Sequence, residues 1–222
     1  KSITMNLRIF VGHDSRYMQA TKTCMQSIYD HFPHADISYL DKPKLKELNF
    51  YGREDVPGES TEFSFTRFYT PMLMHYEGIS IFCDNDFLWK SDIREVIDYL
   101  NGNAMAVVKH PEYEIQENKM DGTKNKSYPK KNWSSLMVFD NARMKNVLTK
   151  QYLDNASPAQ LHEFHFINEN RIGSIPIEYN CLVGHYDCDK AKALHFTNGG
   201  PWFDEYKDGP HAEEWWKVYN SL

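Results

Sequence analysis

The chain has 222 residues, 41% of them hydrophobic, and carries 25 Lys and Arg against 31 Asp and Glu, for a net charge of −6. This hydrophobic fraction excludes a wholly disordered chain, and the acidic balance argues against a nucleic-acid-binding protein, although residues 119–131 are locally basic. No apolar run approaches the roughly 18 residues that span a bilayer, and the polar first residues do not predict a signal peptide, so we expect no transmembrane segment.

Strands and helices alternate over residues 1–110, which predicts an α/β nucleotide-binding sheet. The strand–helix–strand opening predicts a β-α-β unit and a parallel sheet. No GxGxxG or GxxxxGK[ST] motif is present, which argues against an ordinary dinucleotide-binding unit and a P-loop NTPase. The predicted elements are, in chain order, a strand at 7–11, a helix ending before Pro33, a strand at 37–40, a mostly irregular segment at 41–60, a helix at 61–76, a strand at 79–83, a helix from Ser91 to about Leu100 and a strand at 104–108.

The second half of the chain begins with a long polar segment at 109–132, and a loop of this length inside a compact domain is usually functional or disordered. It can close over a bound ligand and exclude water. The elements predicted after it are a strand at 136–139, a helix from Asn141, a short helix opened by Ser157-Pro158, strands near Ile175 and Ile177 and at 193–196, and an aromatic helix at 211–219.

The four cysteines bear on the redox environment. Cys24, Cys83, Cys181 and Cys188 form no CxxC pair and no zinc-ribbon spacing, and two of them lie in apolar patterns typical of small buried residues. We therefore expect reduced cysteines and a cytoplasmic protein.

Two acidic residues, Asp84 and Asp86, follow the strand at 79–83 directly. In an extended chain, residues i and i+2 project to one side, and ligands of open α/β sheets bind at the carboxyl ends of strands. Two carboxylates this close repel each other by about 4 kcal/mol at an effective dielectric constant of about 20, which a divalent cation relieves. Oxygen ligands favour Mg²⁺ or Mn²⁺, and an added imidazole favours Mn²⁺. The alternative is a solvated acidic turn.

A histidine and two glycines near the carboxyl terminus form a second motif. His195 lies in an apolar strand, where a histidine that only fills the core is the common alternative. Gly199 and Gly200 follow it, and they allow close backbone approach and can present N–H groups to a phosphate. The motif predicts that an ion and a diphosphate meet at one place.

Two further segments offer polar groups for a ligand. Arg67 lies among aromatic residues upstream of the acidic pair and is either a surface arginine or a planar clamp for a phosphate or acidic ligand. The segment 132–135 offers amide and hydroxyl groups ahead of a strand, or forms only a turn.

These motifs occur in an order and spacing that resemble the bacterial and phage glycosyltransferases related to family 8, which includes glycogenin and the lipopolysaccharide galactosyltransferases. The resemblance extends over nearly the whole chain. The segments that carry it are 61–68, 83–89, 119–122, 128–129, 131–136 and 195–202.

The resemblance implies a GT-A fold, with a mostly parallel sheet flanked by helices, in a single domain over residues 1–222. It implies a nucleotide-binding half at 1–110 and an acceptor- and sugar-binding half at 111–222. The implied reaction is a retaining, Mn²⁺-dependent (or Mg²⁺-dependent) transfer of a hexose from a nucleotide sugar, expected to be a UDP-sugar, to a hydroxyl of a sugar, lipid or protein acceptor.

The resemblance also assigns residues. It implies that Asp84, Asp86 and His195 hold the ion, and the expected catalytic residues are Asp84, Asp86, Arg67 and Asp121. The turn after the first strand is where the nucleoside docks in the family. The expected donor-binding residues are Val11, Gly12, His13, Arg16, Arg67, Asn85, Asn132, Ser134, Gly199 and Gly200. The candidates for sugar binding are Asp121, Asp140 and Glu163.

Two departures from the family pattern leave the donor open. Gly200 stands where the family commonly has a lysine that contacts the diphosphate, and His13 stands where many members have a small or acidic residue. Two other functions compete with glycosyl transfer. One is a phosphatase of the haloacid dehalogenase type, which Leu88 disfavours because a small β-branched residue is usual there. The other is a non-catalytic sugar-binding protein with a structural ion.

Overall fold

The computed structural model describes residues 5–112 and 129–222. These residues form a six-stranded and a three-stranded sheet joined by short helices. The strands are β1 (Leu7–Gly12), β2 (Ile37–Leu40), β3 (Ile79–Cys83), β4 (Phe87–Trp89), β5 (Met105–Val107), β6 (Leu136–Asp140), β7 (Ile172–Ser174), β8 (Cys181–Leu182) and β9 (Ala193–His195). The α-helices are α1 (Met18–His31), α2 (Lys42–Glu47), α3 (Thr70–Leu73), α4 (Lys150–Asn155), α5 (Pro158–His162) and α6 (Ala212–Tyr219). Short 3-10 helices include Ser15–Tyr17, Thr66–Tyr69, Ile93–Leu100, Trp133–Ser135, Asn141–Met144, Ile177–Asn180 and Asp204–Tyr206.

The large sheet has the strand order β2-β1-β3-β6-β5-β7. β1 pairs in parallel with β2 and β3, as the predicted β-α-β opening requires, and β5 pairs in parallel with β7. β6 runs antiparallel to its neighbours β3 and β5. The sheet is therefore mostly parallel and is flanked by helices, which confirms the predicted α/β class.

Alternate residues of β1 and β3 enter two cores, one on each face of the large sheet. Phe10 and Phe82 belong to one core, whereas Ile9 and Ile81 belong to the other. Successive side chains of a strand point to opposite faces, so a strand covered on both faces becomes a continuous hydrophobic run. The carboxyl end of β3 is thus fixed from both sides before the chain reaches its acidic residues.

Helix α1 covers the second core with the residues that the sequence indicates. Ala20, Cys24 and Ile28 recur four residues apart and are fully buried. The helix ends at His31, ahead of Pro33, which lacks the backbone N–H that a helix interior needs.

The predictions for the segment 41–76 are partly wrong. Residues 42–47 form helix α2, because Asp41 caps it through its side chain and Pro43 fits a first turn, where no N–H is required. The helix expected at 61–76 is confined to a 3-10 turn that continues into α3 at Thr70–Leu73. It stops there because His75 and Tyr76 adopt positive φ angles.

The later elements also differ from the sequence predictions in detail. The helix expected from Ser91 is a 3-10 helix capped by Asp92, whose Oδ1 accepts from Arg94 N. The helix from Asn141 is a single 3-10 turn. The strand expected near Ile175 lies earlier, at Ile172–Ser174, and Ile177 begins a 3-10 helix. The helix opened by Ser157-Pro158 and the aromatic helix at the carboxyl terminus are confirmed. The sequence did not indicate β4 and β8.

The expectation of four reduced cysteines is wrong for two of them. Cys181 and Cys188 form a disulfide, whereas Cys24 and Cys83 are free and buried. The bonded pair encloses a short loop that leaves β8, a pairing for which spacing alone gave no signal. The cysteines therefore no longer support a cytoplasmic location. Across residues 5–112 and 129–222, no helix combines the length and apolar character needed to cross a membrane.

Candidate functional site

The acidic pair lies in a turn between β3 and β4. Phe87 N approaches Asp84 O at 3.4 Å, so the chain reverses here instead of running extended as the sequence analysis assumed. Asp84 N donates to Ser135 O at 3.0 Å, which joins the turn to the start of β6. The turn, and not side-chain alternation, brings the two carboxylates together.

Pairing of β4 with β9 brings the histidine to the acidic turn. β9 lies between β4 and β8 in the small sheet, antiparallel to β4, with Phe87 opposite His195. The ring of His195 stacks on Phe87 with centroids 4.4 Å apart and is 1% exposed. β4 begins at the acidic turn and pairs with β9. This pairing places the imidazole of His195 beside both carboxylates.

The three side chains form a candidate metal cluster. One ligand atom from each of Asp84, Asp86 and His195 lies within 4.8 Å of the others. His195 Nε2 is 3.0 Å from Asp86 Oδ1 and 3.8 Å from Asp84 Oδ2. Neighbouring carboxylates with an imidazole nitrogen are a donor set that fits a divalent cation. The convergence predicted from the two motifs is therefore present in the structure.

Arg67 is buried behind the acidic turn and is not a surface residue. Its Nη1 lies 2.9 Å from Asp84 Oδ1 and also donates to Ser134 O at 2.9 Å. Its Nε donates to Phe63 O at 3.1 Å, and the guanidinium lies over the ring of Phe82. The arginine therefore holds Asp84 in place and ties it to the segment at 132–135.

A cavity of about 490 Å³ opens in front of the cluster. Most of the residues that we expected to bind the donor or the metal line this cavity. Those residues are Arg67, Asp84, Asn85, Asp86, Asn132, Ser134, His195, Gly199 and Gly200.

The turn after β1 reaches the cavity through residues other than those expected. Val11, Gly12, His13 and Arg16 are not among the lining residues, whereas Asp14 and Tyr17 are. Their absence from the wall has a packing reason in each case.

Three of these residues are packed into the protein interior. Val11 is fully buried in β1. Gly12 lies against an aromatic ring, where an added Cβ would be 2.6 Å from Cδ2 of Phe63. His13 is buried, with Nδ1 2.9 Å from Thr21 Oγ1.

Arg16 is held by Asp14, with Nη2 2.7 Å from Asp14 Oδ2, and it also donates to Ser60 O. Burial on its own raises the pKa of Asp14. The hydrogen bonds and charge of Arg16, together with the Glu62 backbone N–H, more than offset this and hold that pKa below its ordinary value. The Asp14 carboxylate therefore stays ionised within the cavity wall beside Tyr17, engaged by these donors.

The late glycine turn has a packing reason that the sequence did not show. Gly199 has a φ of 150°, a conformation that favours glycine. At Gly200 an added Cβ would lie 1.9 Å from Cζ3 of Trp202. The tryptophan ring thus occupies the space that a longer side chain needs, which explains the absence of the family lysine.

The segment at 132–135 meets two other elements at the cavity. Asn132 Nδ2 donates to Thr197 Oγ1 at 3.1 Å, and Ser134 Oγ lies 3.0 Å from Nδ1 of His162, at the end of α5. His162 lines the cavity and packs against the rings of Phe65 and Phe68.

No sequence motif marks His162, because it is a lone histidine in a short helix. No motif marks Asn180 either, whose Oδ1 is 2.8 Å from His195 Nδ1. Glu163 lines the cavity. Asp140 pairs with Ile79 at the opposite end of β3, so it is excluded from this site. Asp121 lies outside the described residues.

Solved structures with the same fold are glycosyltransferases. The bifunctional glycosyltransferase WbbM matches 98% of this chain with a TM-score of 0.64 at 16% identity, and the chain spans 52% of WbbM. The galactosyltransferase LgtC, solved with donor and acceptor sugar analogues, matches 97% of this chain and 96% of its own with a TM-score of 0.60 at 12% identity. At these identities the likeness establishes the fold, which is the GT-A fold of glycosyltransferases related to family 8.

Sequence comparison gives a nearer relative. The chain belongs to the family of Protein CDI from Arabidopsis thaliana, to which it is 38% identical over 217 residues, 94% of this chain and 84% of the relative. No protein-family model matches the chain.

Proposed function

We propose that the chain is a metal-dependent glycosyltransferase that transfers a hexose from a nucleotide sugar, a UDP-sugar, to an acceptor hydroxyl with retention of configuration. The observation that carries this proposal is the convergence of two carboxylates and an imidazole at one cavity of about 490 Å³ in a GT-A fold. A cavity of this size suits a nucleotide sugar, and its lining combines aromatic and polar groups as small-molecule sites do.

Asp84, Asp86 and His195 are the residues that would hold Mn²⁺ or Mg²⁺. When bound there, such a cation supplies Lewis acidity that neutralises charge on a departing diphosphate. Arg67 contributes by fixing Asp84, since one of its nitrogens lies 2.9 Å from the carboxylate.

The nucleoside end of the donor is assigned to Asp14 and Tyr17. The ring of Tyr17, 5.2 Å from that of Phe203, offers an aromatic face to a base, and Asp14 shapes the wall beside it while its oxygens accept from Arg16 and Glu62 N. Both residues belong to the half of the chain, 1–110, that we expect to bind the nucleotide.

The sugar end of the donor is assigned to Asn132, Ser134, His162 and Glu163, all of which line the cavity. Asp121 remains a predicted sugar contact. The anomeric carbon gains oxocarbenium character as the bond to the diphosphate breaks. The acceptor hydroxyl attacks from the leaving-group side, and the departing phosphate oxygen takes its proton, so no protein nucleophile is required. The acceptor is a sugar, lipid or protein hydroxyl.

A thermal-shift panel tests the donor and the metal together. UDP-, GDP-, CMP- and dTDP-sugars are each added with and without Mn²⁺, because a ligand that binds only the native state raises the melting temperature. We expect the UDP-sugars to raise it in the presence of Mn²⁺ and to have little effect with a chelator. A shift of equal size with and without metal, or no shift with any donor, overturns the proposal.

An aryl phosphate assay separates this function from the phosphatase alternative. A phosphatase of that type attacks with the first aspartate of the motif. Asp84 is instead engaged by Arg67, so we expect no release of the aryl alcohol.

A further inference from the structure

A buried chain of polar groups lies behind His195, on the side away from the acidic pair. His195 Nδ1 is 2.8 Å from Asn180 Oδ1, and Asn180 Nδ2 is 2.8 Å from Ser135 Oγ. Ser135 Oγ is in turn 2.6 Å from the backbone oxygen of Asn132. Asn180 is fully buried and Ser135 is 1% exposed, so these contacts are sheltered from bulk water.

The backbone carbonyl of Asn132, at the end of this hydrogen-bonded series, fixes the direction of every hydrogen bond in the series. A backbone carbonyl only accepts, so Ser135 directs its hydroxyl hydrogen to Asn132 O. The hydroxyl oxygen then accepts from the amide N–H of Asn180. This orients the amide of Asn180 so that its carbonyl oxygen faces His195.

A carbonyl oxygen at 2.8 Å from His195 Nδ1 requires that nitrogen to carry a hydrogen. In the neutral imidazole the lone pair then lies on Nε2, which faces Asp86 Oδ1 at 3.0 Å. The opposite tautomer would set the Nδ1 lone pair against the carbonyl oxygen and leave Nε2 unable to bind an ion.

We propose that Asn180 is a positioning residue that fixes the tautomer and ring orientation of His195, so that Nε2 is presented to a divalent cation. Hydrogen bonds to the remote nitrogen of a metal-binding histidine orient the ring and raise its basicity. This role deepens the proposed function and rests on its metal site, so the test below includes a measurement that needs no metal.

The principal variant is Asn180→Ala, and its matched control is Asn141→Ala. Asn141 is also fully buried, accepts from Ser80 Oγ at 2.7 Å and donates to Glu77 O at 2.9 Å. It lies beyond Asp140, at the end of the sheet opposite the acidic turn. Both variants remove a buried, fully bonded amide, but only one of these amides contacts His195.

Calorimetric titration with Mn²⁺ measures the effect on the site. We expect Asn180→Ala to weaken Mn²⁺ binding by about 10–100-fold, the usual effect of losing such a partner. Asn141→Ala should bind Mn²⁺ as the unmodified chain does. Asn180→Asp should restore binding to within a few-fold, because a carboxylate also accepts the Nδ1 hydrogen. Native affinity in Asn180→Ala overturns the proposal.

Nitrogen NMR of ¹⁵N-histidine-labelled, metal-free protein at alkaline pH reports the tautomer directly. We expect the His195 hydrogen on Nδ1 in the unmodified chain and in Asn141→Ala, and a mixture of tautomers in Asn180→Ala. A ring with a hydrogen on Nε2 and none on Nδ1 in the unmodified chain overturns the proposal. If the hydrogen is on Nδ1 but no Mn²⁺ binds, the proposed metal-dependent function fails while the role of Asn180 stands.

Ser135→Ala provides a milder variant in case Asn180→Ala does not fold. It keeps the Asn180 amide but removes the hydroxyl that fixes the amide direction. We expect both tautomers of His195 to appear and Mn²⁺ binding to weaken less than in Asn180→Ala. A single Nδ1–H tautomer with native Mn²⁺ affinity in this variant contradicts the argument from hydrogen-bond direction.

Discussion

The two sides of the candidate metal site are supported in different ways. The acidic side, Asp84 and Asp86, extends from β3, which pairs with β1 and β6 inside the six-stranded sheet and is buried on both faces. The histidine side belongs to a sheet of three short strands. The same site therefore depends on a large core at one side and on a small assembly at the other.

Discrete links add to the packing on the histidine side, where every residue of β4, β8 and β9 is buried. A disulfide joins Cys181 to Cys188, and Asn180 and Phe87 hold the ring of His195. On the acidic side Cys24 and Cys83 stay unbonded, with sulfur atoms 3.8 Å apart in the core. Two- and three-residue strands make few backbone hydrogen bonds, so the disulfide and the polar links add to the stability that the small sheet gains from its own core.

The largest effect is expected on the acidic side, from Arg67→Met. Removing one partner of a buried ion pair leaves Asp84 uncompensated, which costs roughly 3–5 kcal/mol of stability. Mn²⁺ should recover part of the loss, because it supplies the missing positive charge. Urea unfolding with and without Mn²⁺ measures both quantities.

Arg53→Met is the matched control for this variant. Arg53 is also buried, but its Nη1 donates to the backbone oxygens of Leu153 and Ala156 and not to a carboxylate. We expect a loss of stability, relative to the unmodified chain, that is the same with and without Mn²⁺. If Mn²⁺ restored the free energy of unfolding equally in the two variants, the loss of stability in Arg67→Met would not come from an uncompensated charge on Asp84.

Asp86→Asn is expected to remove a metal ligand without emptying the turn. Donor turnover, measured as UDP release, should fall by roughly 100-fold or more, since an electrostatic contact to the reacting group is lost. Asp140→Asn, at the opposite end of β3, should leave turnover unchanged. Full activity of Asp86→Asn would remove this residue from the site.

On the histidine side, the double variant Cys181→Ala, Cys188→Ala should lose roughly 2–3 kcal/mol of stability, as expected for a short disulfide-closed loop. Mn²⁺ affinity should fall with it, because β8 pairs with β9 beside His195. Dithiothreitol should destabilise the unmodified chain by the same amount and leave the double variant unaffected. A Cys24→Ala chain that lost its response to dithiothreitol would contradict this assignment.

The smallest effect is expected from a change at Asp14, which belongs to neither the acidic side nor the histidine side of the candidate metal site. Because the pKa of Asp14 is held below its ordinary value of 3.8, its ionised form stabilises the fold above that pH. The contribution is lost as the pH falls through the lowered pKa. Asp14→Asn should therefore flatten the acid limb of the unfolding free energy measured against pH, while Mn²⁺ affinity stays native.

The sequence carried the class of fold and the chemistry of the metal cluster, because strand ends, acidic pairs and an apolar histidine are local signals. It did not indicate the strand pairings that bring the acidic pair and the histidine together. β4 and β8 have three and two residues, too few for a periodic pattern, and their pairing is decided by distant partners.

Other errors came from side-chain orientation, which local patterns do not determine. The turn after β1 reaches the cavity, but Gly12 packs on Phe63 while Asp14 and Tyr17 line the cavity wall. Gly200 accommodates a tryptophan ring from its own chain. Close approach by a neighbouring side chain and by a ligand select glycine equally, so composition alone does not separate them.

The tryptophan beside Gly200 gives the molecule a built-in optical probe. Trp202 lines the cavity, and its ring lies 5.4 Å from that of Trp215 in the core below. A ligand that displaced water from this wall would change the polarity around the Trp202 indole, while the indole of Trp215 would stay shielded. Intrinsic emission, compared with that of a Trp202→Phe variant, would then report occupancy of the cavity.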